Sequence, residues 1–213
     1  MIKFFKKEEQ IMKKTVLLSL SLLVFTACTG ILDSSKNSVI SEKSTQRSSL
    51  ENALNAYSQA TINNDISVLL GFVYPKVFTL ISKERMHKTL TNVYASNKAP
   101  NITDIDYKNI SDIKPYDAGV YSIIDSKMTM ELKSPVVDND KFEALLFDKL
   151  KSQMGTDSEI TLNKRKHIFT INKKSQIIGI KEGSAGWKFV GYEQAKKYAS
   201  KKVIPESIMR SLK

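Results

Sequence analysis

From residue 48 onward the chain reads first with a helical period and then with a period of two. Ser48-Ser-Leu-Glu51 has the form of a capping box, in which a hydroxyl and a carboxylate three residues apart satisfy each other's free backbone N–H groups. Leu50, Ala53, Leu54, Tyr57 and Ala60 follow it at helical spacing. Asn63-Asn64-Asp65 predicts a break and a fresh cap for Ile66, Leu69, Leu70 and Val73. Pro75, whose fixed φ suits a first helical turn, predicts a third short helix through Val77, Phe78, Leu80 and Ile81. Ser82 predicts the cap of a fourth, with Met86, Leu90, Val93 and Tyr94 on one stripe. The segment Asn97 to Pro100 closes the helical part.

Alternation then takes over. A strand is expected around 102–113, with Ile105 and Tyr107 on one face, and Pro115-Tyr-Asp-Ala-Gly119 reads as a turn. Val120 to Lys133 is the clearest strand. Its even positions, Val120, Ser122, Ile124, Ser126, Met128, Met130 and Leu132, form the expected buried face; after Ile123 the odd positions are polar, with Asp125, Lys127, Thr129 and Glu131. Asp138 or Asn139 caps a helix bearing Phe142, Leu145, Leu146, Leu150 and Met154, which Gly155 closes. Strands at about 159–172, 175–182 and 186–192 follow, joined by Asn172-Lys-Lys-Ser175 and by Gly183-Ser-Ala-Gly186, both short enough for antiparallel hairpins. Helical pieces near Tyr192–Ser200 and Glu206–Leu212 end the chain. Helices grouped first, then meandering strands with one helix between them, predict an α+β domain over 48–213. N-terminal helices would pack on an antiparallel sheet of about five strands, rather than flank a parallel one.

Ala56-Tyr57-Ser58-Gln59-Ala60, Asn64-Asp65, Tyr74-Pro75, Phe78, Lys83-Glu84 and the late strand Gly186-Trp187-Lys188-Phe189 carry a resemblance. Over residues 49–192 the chain resembles the cone-shaped, cystatin-like fold of nuclear transport factor two, ketosteroid isomerase and the polyketide cyclases. The resemblance implies a concave, curved sheet closed by helices, and a homodimer through the sheet.

The segment before residue 48 changes the picture from fold to address. Lys13-Lys14 leads into an apolar run from Val16 to Ala27, too short for the ~20 residues that span a bilayer. A basic start, a short apolar core and small residues at its end describe a secretory signal, residues 1–27. Starting at Met12 makes that signal more compact, which points to Met12 as the true start. Cys28, the one cysteine among 213 residues, follows directly. Phe25-Thr26-Ala27-Cys28 resembles the lipobox of bacterial lipoproteins, with Phe25 where the family usually has Leu. The resemblance implies that the Cys28 thiol takes a diacylglycerol and becomes the first mature residue. It also implies a membrane anchor: the outer membrane in a Gram-negative cell, since Thr29 rather than Asp follows the cysteine, and the outer face of the cell membrane otherwise. Residues 28–47, rich in Ser and poor in large apolar side chains, read as a flexible tether.

Charge is uneven. The chain carries 33 basic and 22 acidic residues, a net +11; without the five Lys and two Glu of residues 1–27 the net is +8. Thirteen basic against three acidic residues fall between Lys164 and Lys213. Such a third would suit anionic headgroups or an acidic protein partner. Nucleic acid is not expected, because the basic residues are mostly Lys without interleaved aromatic and Arg motifs.

Candidate chemistry is sparse. His87 and His167 have no Cys, His or carboxylate at ligand spacing, and Asp104 and Asp106 share one strand face as solvated residues, so neither metal nor cofactor is expected. No Gly-x-Ser-x-Gly nucleophile motif is present. Isomerases of the cone superfamily use a pocket carboxylate with a Tyr or Asp donor. Tyr121 and Asp125 share a strand face, but that face is expected to point outward, and no residue matches the isomerase pattern. The expected activity is therefore non-catalytic: an envelope lipoprotein that binds a small apolar ligand or a partner. Tyr57, Tyr74, Ser122, Ser126, Met128 and Met130 would line its pocket. The alternatives are a structural or assembly lipoprotein docking an acidic partner through the basic C-terminal third, and, further off, a cone-type isomerase or cyclase.

Overall fold

The computed structural model describes residues 38–95, 100–136, 139–197 and 201–211; Cys28, the expected export signal and the first part of the expected tether lie outside them. The order is α1 (Ser38–Ile62), α2 (Ile66–Leu69), a 3-10 turn (Pro75–Thr79), α3 (Lys83–Tyr94), β1 (Asn101–Ile110), β2 (Lys114–Tyr116) and β3 (Gly119–Lys133). Then come α4 (Asp140–Met154), β4 (Ser158–Asn163), β5 (Ile168–Glu182), β6 (Lys188–Gly191), α5 (Tyr192–Lys197) and α6 (Glu206–Arg210). It is an α+β arrangement on one antiparallel sheet.

Local signals placed several boundaries. Asp65 caps α2 by accepting from Val68 N–H at 3.0 Å, next to Asn64 in the left-handed region. Ser82 Oγ accepts from Arg85 N–H at 3.2 Å, and Asn139 caps α4 through Phe142 N–H at 3.0 Å. Gly155, at φ +77°, ends α4.

The start of α1 differs from expectation. The helix begins at Ser38, so ten residues of the expected tether are helical and Ser48 lies inside the helix, not at its cap. No Gly or Pro interrupts 38–62, and a nucleated helix adds one hydrogen bond per residue it fixes. Arg47 holds this stretch to the sheet: its Nε donates to Glu51 at 2.7 Å and its Nη1 to the Ile110 carbonyl at 3.0 Å.

Two long strands form the middle of the sheet. β3 and β5, 15 residues each, pair without a break from Gly119↔Glu182 to Lys133↔Ile168. β1 and then β2 run along the outer edge of β3, and β4 and β6 along that of β5. The sheet thus has six strands, not about five. Lys114–Tyr116, of which Pro115 and Tyr116 read as the start of a turn, pairs with Gly119–Tyr121, and an edge position tolerates the missing N–H of Pro115. The expected hairpin at Asn172–Ser175 does not exist either. Those polar residues continue β5 opposite Ser126–Thr129, and the chain reverses at 164–167 instead, with His167 at φ +53°.

The even positions of β3 face the helices, as expected. Along half of that face Ile124, Ile177 and Phe189 pack under Leu50, Leu54 and Tyr57 of α1, with Leu69, Leu70, Phe72 and Trp187. Along the other half Met130, Phe169, Ile171, Ile102 and Ile160 pack under Leu146 and Leu150 of α4. Leu145, assigned to the same stripe, is instead 67% exposed. Among the described residues the opposite face is covered where Tyr74, Ala195 of α5, Val203 and Ile204 of the link, and Ile208 of α6 lie over Tyr121, Ile178 and Ile180. Beyond that cover Asp125 accepts from Asn109 at 2.9 Å and Gln176 at 2.7 Å, and these hydrogen bonds hold its carboxyl below the usual range. It faces away from the helices, as its odd position in β3 predicts.

Candidate functional site

The six expected pocket residues fall into separate clusters rather than one. Tyr57 lies in the first core cluster, its ring 5.8 Å from Phe72 and 5.0 Å from Phe189. Tyr74 belongs to the cluster on the opposite face, with Ile178 and Ile180. Met130 is buried and Met128 half-buried under α4. Ser122 donates to the Ser111 carbonyl at 2.9 Å, and Ser126 meets Ser175, Oγ to Oγ, at 2.8 Å. Ser122 thus ties β3 to the link after β1 and Ser126 ties β3 to β5, which commits both hydroxyls to the fold.

Two polar constellations escaped the sequence. In the first, the hydroxyls of Tyr74 and Tyr116 both donate to Glu182 Oε1, each at 2.7 Å. One carboxylate at the end of β5 thereby clasps the loop before the 3-10 turn and the short strand β2. Burial first, then the hydrogen bond and charge of Glu182, push both phenols well above the usual tyrosine range. Burial pushes Tyr57 and Tyr107 up as well, at Tyr107 against the opposing effect of Ser58, which donates to its hydroxyl at 3.0 Å. A phenol whose folded pKa is raised contributes stability that is complete below the unfolded value of about 10 and is lost as pH climbs past it. In an alkaline titration these tyrosines are therefore expected to ionise together with loss of secondary structure, read as tyrosinate absorbance against circular dichroism. Smooth ionisation of every tyrosine from pH about 10 with the fold intact contradicts this.

In the second constellation Glu143 of α4, only 2% exposed, lies with Oε1 2.8 Å from Nδ1 of His167 in the β4–β5 turn. The one available signal was Glu143 itself, a carboxylate on the stripe that holds Leu146 and Leu150. Its partner is 24 residues away and no local pattern announces it. His167→Ala removes a hydrogen bond to a buried carboxylate and is expected to cost about 2 kcal/mol in chemical denaturation. His167→Asn, which tolerates the left-handed backbone and keeps a donor, should cost less. A loss below about 0.5 kcal/mol for His167→Ala would show that the ring's contact with Glu143 contributes nothing.

Beside this pair runs a groove of about 490 Å³ between α4 and β4. Asp140, Glu143, Ala144, Phe147 and Asp148 stand on one helix flank, at the three- and four-residue spacing that shares a face. Ile160, Thr161 and Leu162 form the strand side, and Lys164 closes one end. The floor is apolar and the rim carries the exposed carboxylates of Asp140 and Asp148 against the Lys164 ammonium, while the Glu143 carboxylate lies buried against His167, on a chain that is strongly basic overall. Such a recess suits apolar side chains flanked by positive charge. Among the described residues no group of three or more His, Cys, Asp or Glu is placed to hold a metal ion.

The basic residues of the C-terminal third do not gather on one face. Lys164, Arg165 and Lys166 sit in the turn before β5, at its α4 end. Lys196, Lys197, Lys201, Lys202 and Arg210 follow β6, which pairs with Ile177–Ile180 near the other end of the same strand. The stretch of β5 from Ile168 to Ile177, where Gly191 pairs, separates the two groups by roughly 30 Å along the strand at its usual rise. No protein-family model matches the chain, and neither a curated protein nor a solved structure matches it.

Proposed function

We propose that this protein is a non-catalytic binding module of the cell envelope, exported by residues 1–27, held to a membrane by lipid on Cys28, and engaging its partner through the α4–β4 groove. The groove is the observation that carries the binding half of this reading: an open recess with an apolar floor and an acidic rim. The composition break at Cys28 carries the other half. The half-buried Tyr74–Glu182–Tyr116 and Glu143–His167 contacts support a binding role over catalysis, because their polar groups are committed to joining elements of the fold. We read the sheet as the curved one of the cystatin-like cone. Two register shifts in β1, of the kind that bend an edge strand, and helices stacked on a single face over most of its length support that reading.

The test is capture of binding partners from an envelope extract by the full-length protein. Ala144→Arg with Leu162→Arg, which fills the groove, is expected to abolish capture. Capture that survives those changes but is lost when Lys196, Lys197, Lys201 and Lys202 become Glu would replace the groove with docking of an acidic partner on the C-terminal basic cluster.

A further inference from the structure

The two outer edges of the sheet are unlike each other. β1 breaks register with β3 twice, between Ile102 and Asp104 and between Tyr107 and Ile110, and it carries Asp104, Asp106 and Lys108. Bulges and charges of this kind are how proteins keep an edge strand from pairing. β4 has neither defence in the same measure. Its six residues pair with β5 in unbroken register from Ser158↔Lys173 to Asn163↔Ile168, and among the described residues no strand covers its other edge. Its only charged member is Glu159.

The charges at the two ends of β4 are opposite in sign. Asp157 and Glu159 stand at its start, Lys164 and Arg165 just past its end, and all four are exposed. We propose that β4 pairs antiparallel with β4 of a second copy of this chain, about a two-fold axis near Thr161. A two-fold at Thr161 sets residues whose numbers are symmetric about 161 opposite one another. The acidic start of one β4, Asp157 and Glu159, then comes to the basic turn of its partner, Lys164 and Arg165, just past the strand end. Directly opposed opposite charges favour a strand pair, and like charges disfavour it, so this end-to-end polarity selects the antiparallel, self-matching arrangement. A parallel pairing would set acid against acid and base against base.

The pairing also bears on the groove, although it stands or falls without any ligand there. β4 presents Ile160 to the face that α4 covers. A two-fold normal to the sheet keeps both copies of α4 on that face. The two grooves then lie side by side over the joined strands, each walled on its open side by the other molecule.

A six-residue edge buries less than the roughly 800 Å² per partner of a stable complex, so the dimer is expected to be weak and salt-sensitive. Sedimentation equilibrium of the full chain carrying Cys28→Ser, which removes both lipid and thiol cross-linking, tests it. At low salt the chain should dimerise at about 100 µM or below. Asp157→Lys with Glu159→Lys should raise the dissociation constant at least about tenfold, and Lys164→Glu with Arg165→Glu should do the same alone. All four changes together restore opposite signs across the axis and should restore the dimer. A chain that is monomeric at that concentration overturns the proposal. So does a dimer that both charge reversals leave unchanged, which would place the contact on another surface such as the sheet face. Circular dichroism of each variant separates lost pairing from lost folding. Partner capture through the groove, measured separately, can survive either negative result.

Discussion

Phe189→Ala should lower the stability of the domain by about 3–5 kcal/mol, the cost of emptying a filled aromatic site that its neighbours cannot close. Phe189 is completely buried. Its ring touches those of Tyr57 and Phe72, at centroid distances of 5.0 and 5.7 Å, and so joins α1 and the segment after α2 to β6. Its backbone is equally committed: Phe189 N–H donates to the Phe72 carbonyl at 2.7 Å, and the Phe189 carbonyl accepts from Tyr74 N–H at 3.1 Å. Across the strand pair lies Gly179, where a Cβ would come within 3.3 Å of Leu50, Ile124 and the Phe189 ring itself. The glycine makes the room that the ring fills. For a domain of this size the loss corresponds to a fall in Tm of about 6–20 °C. The only tryptophan, Trp187, is buried in the same cluster, so thermal unfolding followed by its fluorescence reports the site directly. A change below about 1 kcal/mol would mean that the aromatic cluster does not hold the helices to the sheet.

Gly119→Ala is the second large effect, at about 3 kcal/mol, and its cause is backbone crowding rather than a cavity. A Cβ on Gly119 would stand 2.0 Å from the Lys181 carbonyl oxygen and 3.1 Å from the Glu182 Cα. Neither is the flexible tip of a side chain, so the end of the β3–β5 ladder must move. That end carries Glu182, to which Tyr74 and Tyr116 donate, so the substitution is expected to loosen the tyrosine clasp as well. Gly186→Ala is the control, since a Cβ there meets no atom within 4 Å. Urea denaturation should separate the two variants; equal stability would show that the turn between β2 and β3 accommodates a side chain.

Signals local in sequence were readable, and signals that depend on distant partners were not. The period of two in 120–133 identified β3 and its buried face, because one face of a long strand packs along its whole length. Asp65, Ser82, Asn139 and Gly155 marked helix ends, since a cap acts within four residues. Ser48-Ser-Leu-Glu51 has the same form and misled, because the helix had already begun upstream and a capping box has no force inside it. Asn172–Ser175 is as polar as a turn, yet it lies in the middle of β5 where its neighbours Ser126 and Thr129 are polar too. The clasp on Glu182 spans 108 residues from Tyr74 and 66 from Tyr116, and only the assembled fold brings the three together. The groove is of the same kind: its helix flank is a spacing pattern, but its other wall is set by how β4 returns beside α4.

The anchor reading rests on Cys28, and mass spectrometry of the protein extracted from membranes tests it most directly. The account predicts a mature chain whose first residue is Cys28, so that the N-terminal tryptic peptide runs from Cys28 to Lys36 and carries a diacylglycerol with its acyl chains. Cys28→Ser should remove that modification and release the protein from the membrane fraction. A chain that keeps residues before Cys28, or whose Cys28 is unmodified while the protein still fractionates with membranes, would contradict it.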